Sequence, residues 1–134
     1  MANRDYDPAT LPEVDAVDVV LLEGAAPEGG PANDFIRSRA ARPEIRLTGV
    51  DAERIADLWR ALSPGESARC HIPPYGLRFW RGPQLVVEAS LCWQCNNAYG
   101  YLGAEATSFA FDSKAMAAVA LLMQLRHVLP AGAA

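Results

Sequence analysis

Three cysteines and one histidine are the residues of this chain best suited to chemistry. Cys70 and His71 are adjacent, and Cys92 and Cys95 form a Cys-x-x-Cys pair. Between them lies Arg-Gly-Pro at residues 81–83, flanked by apolar segments, which predicts a β-hairpin with a tight turn. Residues equally far from that turn face each other, so the hairpin pairs Cys70 with Cys95.

Side chains directly opposed across antiparallel strands have Cβ atoms roughly 5 Å apart. We therefore expect Cys70 and Cys95 on neighbouring strands, with Cα atoms no more than about 7 Å apart. Cys92 is flanked by apolar residues and is expected to be deeply packed. Two consecutive prolines, Pro73 and Pro74, cannot donate ladder hydrogen bonds and can bend the strand before Cys70.

Three uses of these residues stay open. A zinc site would take Cys70, His71, Cys92 and Cys95, because thiolates and imidazole are the usual ligands of structural zinc. Thiol–disulfide chemistry would use Cys92 and Cys95, although turn residues follow that pair instead of a helix. The third interpretation is that the cysteines only pack as small apolar side chains. In a reducing cytosol, we expect free thiols or bound metal at Cys70 and Cys95.

The two segments that carry these cysteines also resemble a pattern in small uncharacterised bacterial proteins. In those proteins a Cys-x-Pro-x-x-Gly-(Ile/Leu)-Arg-Phe segment precedes a strand that ends in Cys-(Phe/Trp)-x-Cys. The similarity covers residues 70 to 97 of this chain. The resemblance implies no known activity and supplies no mechanism. It implies that a set of residues acts as a unit, namely Cys70, Gly76, Arg78, Cys92 and Cys95.

Composition restricts the class of protein. The chain has 134 residues, of which 51% are hydrophobic and 21% charged, as in a globular domain with its own core. A net charge of −4 argues against nucleic-acid binding, which needs a basic surface. The most apolar stretch, residues 115–128, is shorter than the roughly 20 residues of a membrane span. An odd number of cysteines and no signal-like start favour a cytoplasmic protein.

Hydrophobic periodicity predicts the elements that position the cysteines. Residues 14–22, 44–48, 75–80, 84–91, 99–102 and 107–111 read as strands, and residues 51–62 and 113–129 as helices. Asp51 is the expected N-cap of the first helix. Short turns favour antiparallel pairing. We therefore predict an α+β two-layer sandwich, with a mainly antiparallel sheet of about five strands and two helices on one face. Residues 1–13 form a flexible arm and residues 14–130 a single domain.

Two features suggest contact with a partner. The last helix is apolar well beyond the stripe that a sheet would cover, so an interface is predicted around Leu121, Leu122 and Leu125. The long segment 24–43 carries Arg37 and Arg39 near Phe35, which would suit an acidic partner. The alternative for this segment is an inert, solvated run of charge.

No catalytic motif appears among the known patterns for nucleophile elbows, phosphate loops or metalloprotease helices. No catalytic residue is assigned, and an enzyme is not the favoured class. The sequence predicts a non-enzymatic binding or accessory module that docks to a partner protein or to a second copy, with no cofactor. The alternative is a cysteine-based zinc or thiol redox protein that uses Cys70, Cys92 and Cys95.

Overall fold

A computed structural model describes residues 4–22 and 43–130 of the chain. These residues form seven strands, two α-helices and one short 3-10 turn at Pro8–Thr10. The strands are β1 (Arg4–Asp5), β2 (Ala16–Leu21), β3 (Glu44–Thr48), β4 (Tyr75–Arg81), β5 (Gln84–Cys92), β6 (Asn97–Leu102) and β7 (Glu105–Ala110). The helices are α1 (Gly49–Arg60) and α2 (Met116–Val128).

The described strands form one sheet in the order β1-β7-β6-β5-β4-β2-β3. Neighbouring strands are antiparallel, except that β1 runs parallel to β7. Both helices pack on one face, so the predicted α+β two-layer fold is confirmed. The sheet has more strands than expected. One reason is that β1 contains only two residues, too few to show a periodic pattern.

The β4–β5 hairpin turns where the sequence predicted it. Gly82 has φ +56, a left-handed conformation that glycine adopts without steric cost. Arg81 pairs with Gln84 beside the turn, whereas Tyr75 pairs with Leu91 at the far end. Opposite Phe79 and Trp80, β5 has one extra residue, Val86, and this bulge accounts for the shift of one residue. The hairpin carries the cysteine segments on the two sides of its open end.

The core lies between the sheet and the helices. Ile55 and Trp59 of α1 are four residues apart, so both face the sheet, and neither is exposed. Leu121 and Leu125 of α2 are buried in the same cluster. The sheet contributes alternate residues of its central strands, including Val17, Val19, Leu77, Phe79 and Leu91. Helix α1 begins earlier than predicted, so Thr48 occupies the N-cap position and Asp51 lies in the first turn.

The opposite face of the sheet carries charged side chains on its central strands, together with a small apolar cluster of Val20 and Leu22. Arg46 of β3 binds Asp18 of β2 at 2.7 Å, and Trp80 Nε1 donates to the same carboxylate at 2.8 Å. Arg78 of β4 lies 3.4 Å from a carboxylate oxygen of Glu88 on β5. These ion pairs connect neighbouring strands across this face. His71 and its hydrogen-bond partners lie at one end of it.

Residues 4–13, expected to form a flexible arm, are packed where the structure describes them. Tyr6 N donates to Ser108 O at 3.1 Å, which extends the β1–β7 pairing. Asp7 caps the 3-10 turn by accepting from Ala9 N at 3.0 Å. Leu11 then enters the core and is only 4% exposed.

Candidate thiol–disulfide site

Residues 61–74 link α1 to β4, and residues 63–74, which we call the strap, cross the end of the sheet. Backbone hydrogen bonds fix it at three points. Ser63 O accepts from Asp112 N at 2.9 Å, Ala68 N donates to Cys95 O at 2.9 Å, and Pro74 O accepts from Leu22 N at 2.8 Å. The strap therefore packs against the turn at residues 93–96, which joins β5 to β6.

Cys70 in the strap and Cys95 in that turn are joined by a disulfide, with Cα atoms 5.6 Å apart. Cys70 is exposed, whereas Cys95 has no exposed surface. The predicted proximity of these two residues is confirmed. The expectation of free thiols at this pair is wrong for the structure, because the two sulfurs are bonded to each other.

The expected placement on neighbouring strands is also wrong. Strand β4 begins only at Tyr75, after the two prolines that the sequence marked as a potential bend. Strand β5 ends at Cys92, three residues before Cys95. Cys70 lies in the strap before β4, and Cys95 lies in the turn after β5. The two cysteines therefore face each other beyond the ends of the paired strands.

Cys92 is the free cysteine of the described residues and is fully buried, as predicted. Its Sγ accepts hydrogen bonds from Cys95 N at 3.2 Å and from Ile72 N at 3.3 Å. One donor belongs to a disulfide cysteine and the other lies two residues after Cys70. The third sulfur is therefore held beside the disulfide by contacts with both segments that the disulfide joins.

Asn97, the first residue of β6, fastens the strap, and the sequence reasoning missed it. Its Nδ2 carries two protons and lies within hydrogen-bond distance of three acceptors, Ser67 Oγ at 2.9 Å, Ala68 O at 3.1 Å and Cys70 O at 2.9 Å, so one proton is shared. The side chain is buried, and only 2% of the residue is exposed. The Asn-Asn pair after the Cys-x-x-Cys segment indicated a turn. A polar residue at the start of an apolar strand was the available signal for a structural role.

His71 lies between two buried polar side chains. Its Nδ1 is 2.6 Å from Asn97 Oδ1 and its Nε2 is 2.7 Å from Ser90 Oγ. Because Asn97 Nδ2 already faces acceptors, Oδ1 must accept from a protonated Nδ1. The Nε2 of a neutral ring then accepts from the Ser90 hydroxyl, which lies 2.7 Å from Nε2 and 3.3 Å from its other acceptor, Tyr99 O. Burial lowers the pKa of His71 below its usual value, and the hydrogen bond with Asn97 opposes that shift.

This Ser–His–Asn chain has the hydrogen-bond order of a nucleophilic triad. Ser90, however, has no exposed surface, so a substrate cannot reach its hydroxyl in this structure. The ring of His71 also packs edge-on against Tyr99, with centroids 4.7 Å apart. The arrangement is that of a satisfied polar network that holds the strap on the sheet.

The proposed zinc ligands come close together but are otherwise engaged. The disulfide occupies the sulfurs of Cys70 and Cys95, and both ring nitrogens of His71 have hydrogen-bond partners. Across residues 4–22 and 43–130, no cluster of three or more His, Cys, Asp or Glu side chains is placed to hold a metal ion. A zinc site at Cys70, His71, Cys92 and Cys95 stays an untested prediction.

The residues predicted to contact a partner fall into two groups, one outside the described ranges and one on α2. Phe35, Arg37 and Arg39 lie outside the described residues. Leu121 and Leu125 have no exposed surface, and Leu122 is half-buried. The apolar side chains that α2 exposes are Met116, Val119 and Met123.

Comparison of the chain with protein-family models, with curated proteins and with solved structures found no match. The resemblance of residues 70 to 97 to small bacterial proteins therefore stays a prediction. No helix within the described ranges is long and apolar enough to cross a membrane. Function is therefore inferred from the geometry of the site.

Proposed function

We propose that this chain is a thiol–disulfide exchange protein whose Cys70–Cys95 disulfide reacts with thiols of a partner molecule. The supporting observation is the asymmetry of the site, in which an exposed Cys70 is bonded to a buried Cys95. Exposed disulfides are more readily exchanged than buried ones, because an incoming thiolate can reach the sulfur. Cys70 is therefore the residue that partners meet.

The exchange requires a thiol reductant, either glutathione or a cysteine of a partner protein. Its thiolate attacks Cys70 Sγ, a mixed disulfide forms, and the Cys70–Cys95 bond breaks with Cys95 leaving as the thiolate. The thiolate of a second glutathione molecule, or of a second partner cysteine, then attacks the reductant's sulfur in the mixed disulfide, and Cys70 leaves as a thiolate. The reductant leaves as a disulfide, and Cys70 and Cys95 each take up one proton from solvent.

Charge beside the site favours an anionic thiol. Arg69 is exposed and directly precedes Cys70. A positive side chain near a sulfur attracts the incoming thiolate, and glutathione carries net negative charge at neutral pH. We expect Arg69→Gln to slow reaction with glutathione about two- to threefold at low salt. Arg126→Gln, which removes an exposed charge from α2, is the matched control and leaves the rate unchanged.

The test is reaction of the folded, oxidised protein with reduced glutathione, followed by acid quenching and mass spectrometry. The proposal predicts a glutathione adduct on Cys70, formed at a rate that does not change with urea below the unfolding transition. Reduction that occurs only in proportion to the unfolded fraction would show a structural crosslink instead. The proposal fails on that result.

A second candidate function, docking to a partner protein or a second copy, is supported by the outer face of α2. Met116, Val119 and Met123 are 87%, 43% and 63% exposed, and their spacing places them on one side of the helix. We propose that a partner covers this stripe. The double variant Met116→Glu/Met123→Glu would then lower the mass measured by light scattering at micromolar concentration. Arg54→Glu, an equal change of charge on α1, is the control and leaves the mass unchanged. If the wild type and both variants are all monomers, self-association is excluded.

A further inference from the structure

The exchange proposed for Cys70 and Cys95 gives no role to the third cysteine, Cys92. Its sulfur is buried, unbonded and within hydrogen-bond distance of Cys95 N, at 3.2 Å. Cys92 and Cys95 lie at the two ends of one turn, with residues 93–94 between them. The ends of a tight turn are less than about 7 Å apart at Cα, which is the range over which a disulfide can form.

We infer that Cys92 is an internal exchange partner, which moves the disulfide from Cys70–Cys95 to Cys92–Cys95 and leaves Cys70 as an exposed thiol. This inference rests on the proposed thiol–disulfide function and assigns a role to its third cysteine. Two forms of the oxidised protein follow. One presents a disulfide at the surface, and the other presents a nucleophilic thiol.

The step balances within the chain. Cys92 is buried, so it loses its proton to water when a local opening of the strap admits it, and its thiolate then attacks Cys95 Sγ. The Cys92–Cys95 bond forms as the Cys70–Cys95 bond breaks, and Cys70 leaves as a thiolate that takes a proton from water. No external oxidant or reductant is needed, because one disulfide and one thiol are present before and after. Departure of the exposed sulfur is favourable, since water solvates the leaving thiolate.

The surroundings of Cys92 suit this attack. Two backbone N–H groups, from Cys95 and Ile72, donate to its sulfur and hold it close to the Cys95 backbone. The strap also stays attached after the exchange, because Asn97 still donates to Ser67, Ala68 and Cys70. The fold therefore keeps Cys70 beside the turn, so the exchange is reversible.

The test is slow alkylation of the native, oxidised protein with iodoacetamide, followed by denaturation and mapping of the disulfide. The inference predicts a label on Cys70 together with a Cys92–Cys95 disulfide. In Cys92→Ser, which keeps Cys70–Cys95 and has no free cysteine, Cys70 labelling falls by at least about tenfold. A label on Cys92, with Cys70–Cys95 intact, overturns the inference.

A second variant makes the result independent of the stability of Cys92→Ser. Cys70→Ser, oxidised with diamide, is expected to form the Cys92–Cys95 disulfide and to show no free thiol after denaturation. Two free thiols would overturn the inference. Cys92→Ser should still exchange with glutathione at Cys70 if the proposed function holds, so failure of the inference and failure of that function give different results.

Discussion

At the scale of single residues, the site depends on polar side chains whose hydrogen bonds are all made inside the fold. Ser90, His71 and Asn97 form one chain, and the Asn97 amide connects it to the strap. A buried network of this kind is stable only when each member has its hydrogen-bond partners. Loss of one side chain therefore leaves buried polar groups of the others unpaired. His71 is the member that pH can change.

Protonation of His71 should weaken the fold. Burial lowers the pKa of His71 in the folded state, so the unfolded chain binds more protons as pH falls through the ordinary histidine pKa of about 6.5. Stability contributed by the neutral ring is thus present above about pH 6.5 and is lost as pH falls below it. Urea midpoints measured from pH 8 to pH 5 should fall less for His71→Gln than for the wild type.

His127 provides the control for this measurement, because it is the other histidine and is exposed on α2. His127→Gln should reproduce the wild-type fall in the urea midpoint. Equal pH dependence in the wild type and in His71→Gln would contradict the assigned state of the ring.

At the scale of elements, the sequence predicted the hairpin better than the strap. The Arg-Gly-Pro turn between two apolar runs placed the ends of β4 and β5 to within a residue, and the bulge opposite Phe79 and Trp80 shifted their register by one. A bulge leaves the apolar pattern of a short strand almost unchanged. The strap has no hydrophobic period, and its position depends on contacts with side chains, such as that of Asn97, more than 25 residues later in the chain.

The close approach of β5 and β6 gives a test at this scale. A Cβ on Gly100 would lie 2.6 Å from Ala89 Cα and would also collide with the carbonyl of Glu88. We expect Gly100→Ala to lower the free energy of unfolding by more than about 2 kcal/mol, because backbone atoms cannot move aside. Gly103→Ala meets open space at φ +60 and should cost only about 1 kcal/mol. Equal losses in urea denaturation would contradict the β5–β6 packing.

At the scale of the whole molecule, the disulfide joins residues 25 positions apart and restrains the unfolded chain. Closing a loop of this length stabilises a fold by about 3 kcal/mol on the chain-entropy account. Reduction with dithiothreitol should therefore lower the free energy of unfolding by about that amount. Cys92→Ser should show the same loss on reduction, because it keeps the bond. An unchanged urea midpoint would contradict a restraining role for the Cys70–Cys95 bond.

The core could be predicted because hydrophobic periodicity reports burial, whereas the chemistry of the cysteines could not. Spacing from the turn brought Cys70 and Cys95 together, as the Cα distance of 5.6 Å confirms. Whether such a pair holds metal, stays reduced or forms a disulfide depends on the geometry of the side chains in the fold and on the redox environment. The apolar composition of α2 likewise did not distinguish the buried Leu121 and Leu125 from the exposed Met116 and Met123.

The most direct test of the proposed exchange is a thiol count on protein equilibrated in glutathione buffers that range from oxidising to reducing. Samples are quenched, denatured and alkylated, and circular dichroism is recorded before quenching. The account predicts a reversible change from one thiol to three per chain, with Cys70 and Cys95 gaining the label while the folded signal persists. A disulfide that stays intact until the folded signal is lost would contradict the account.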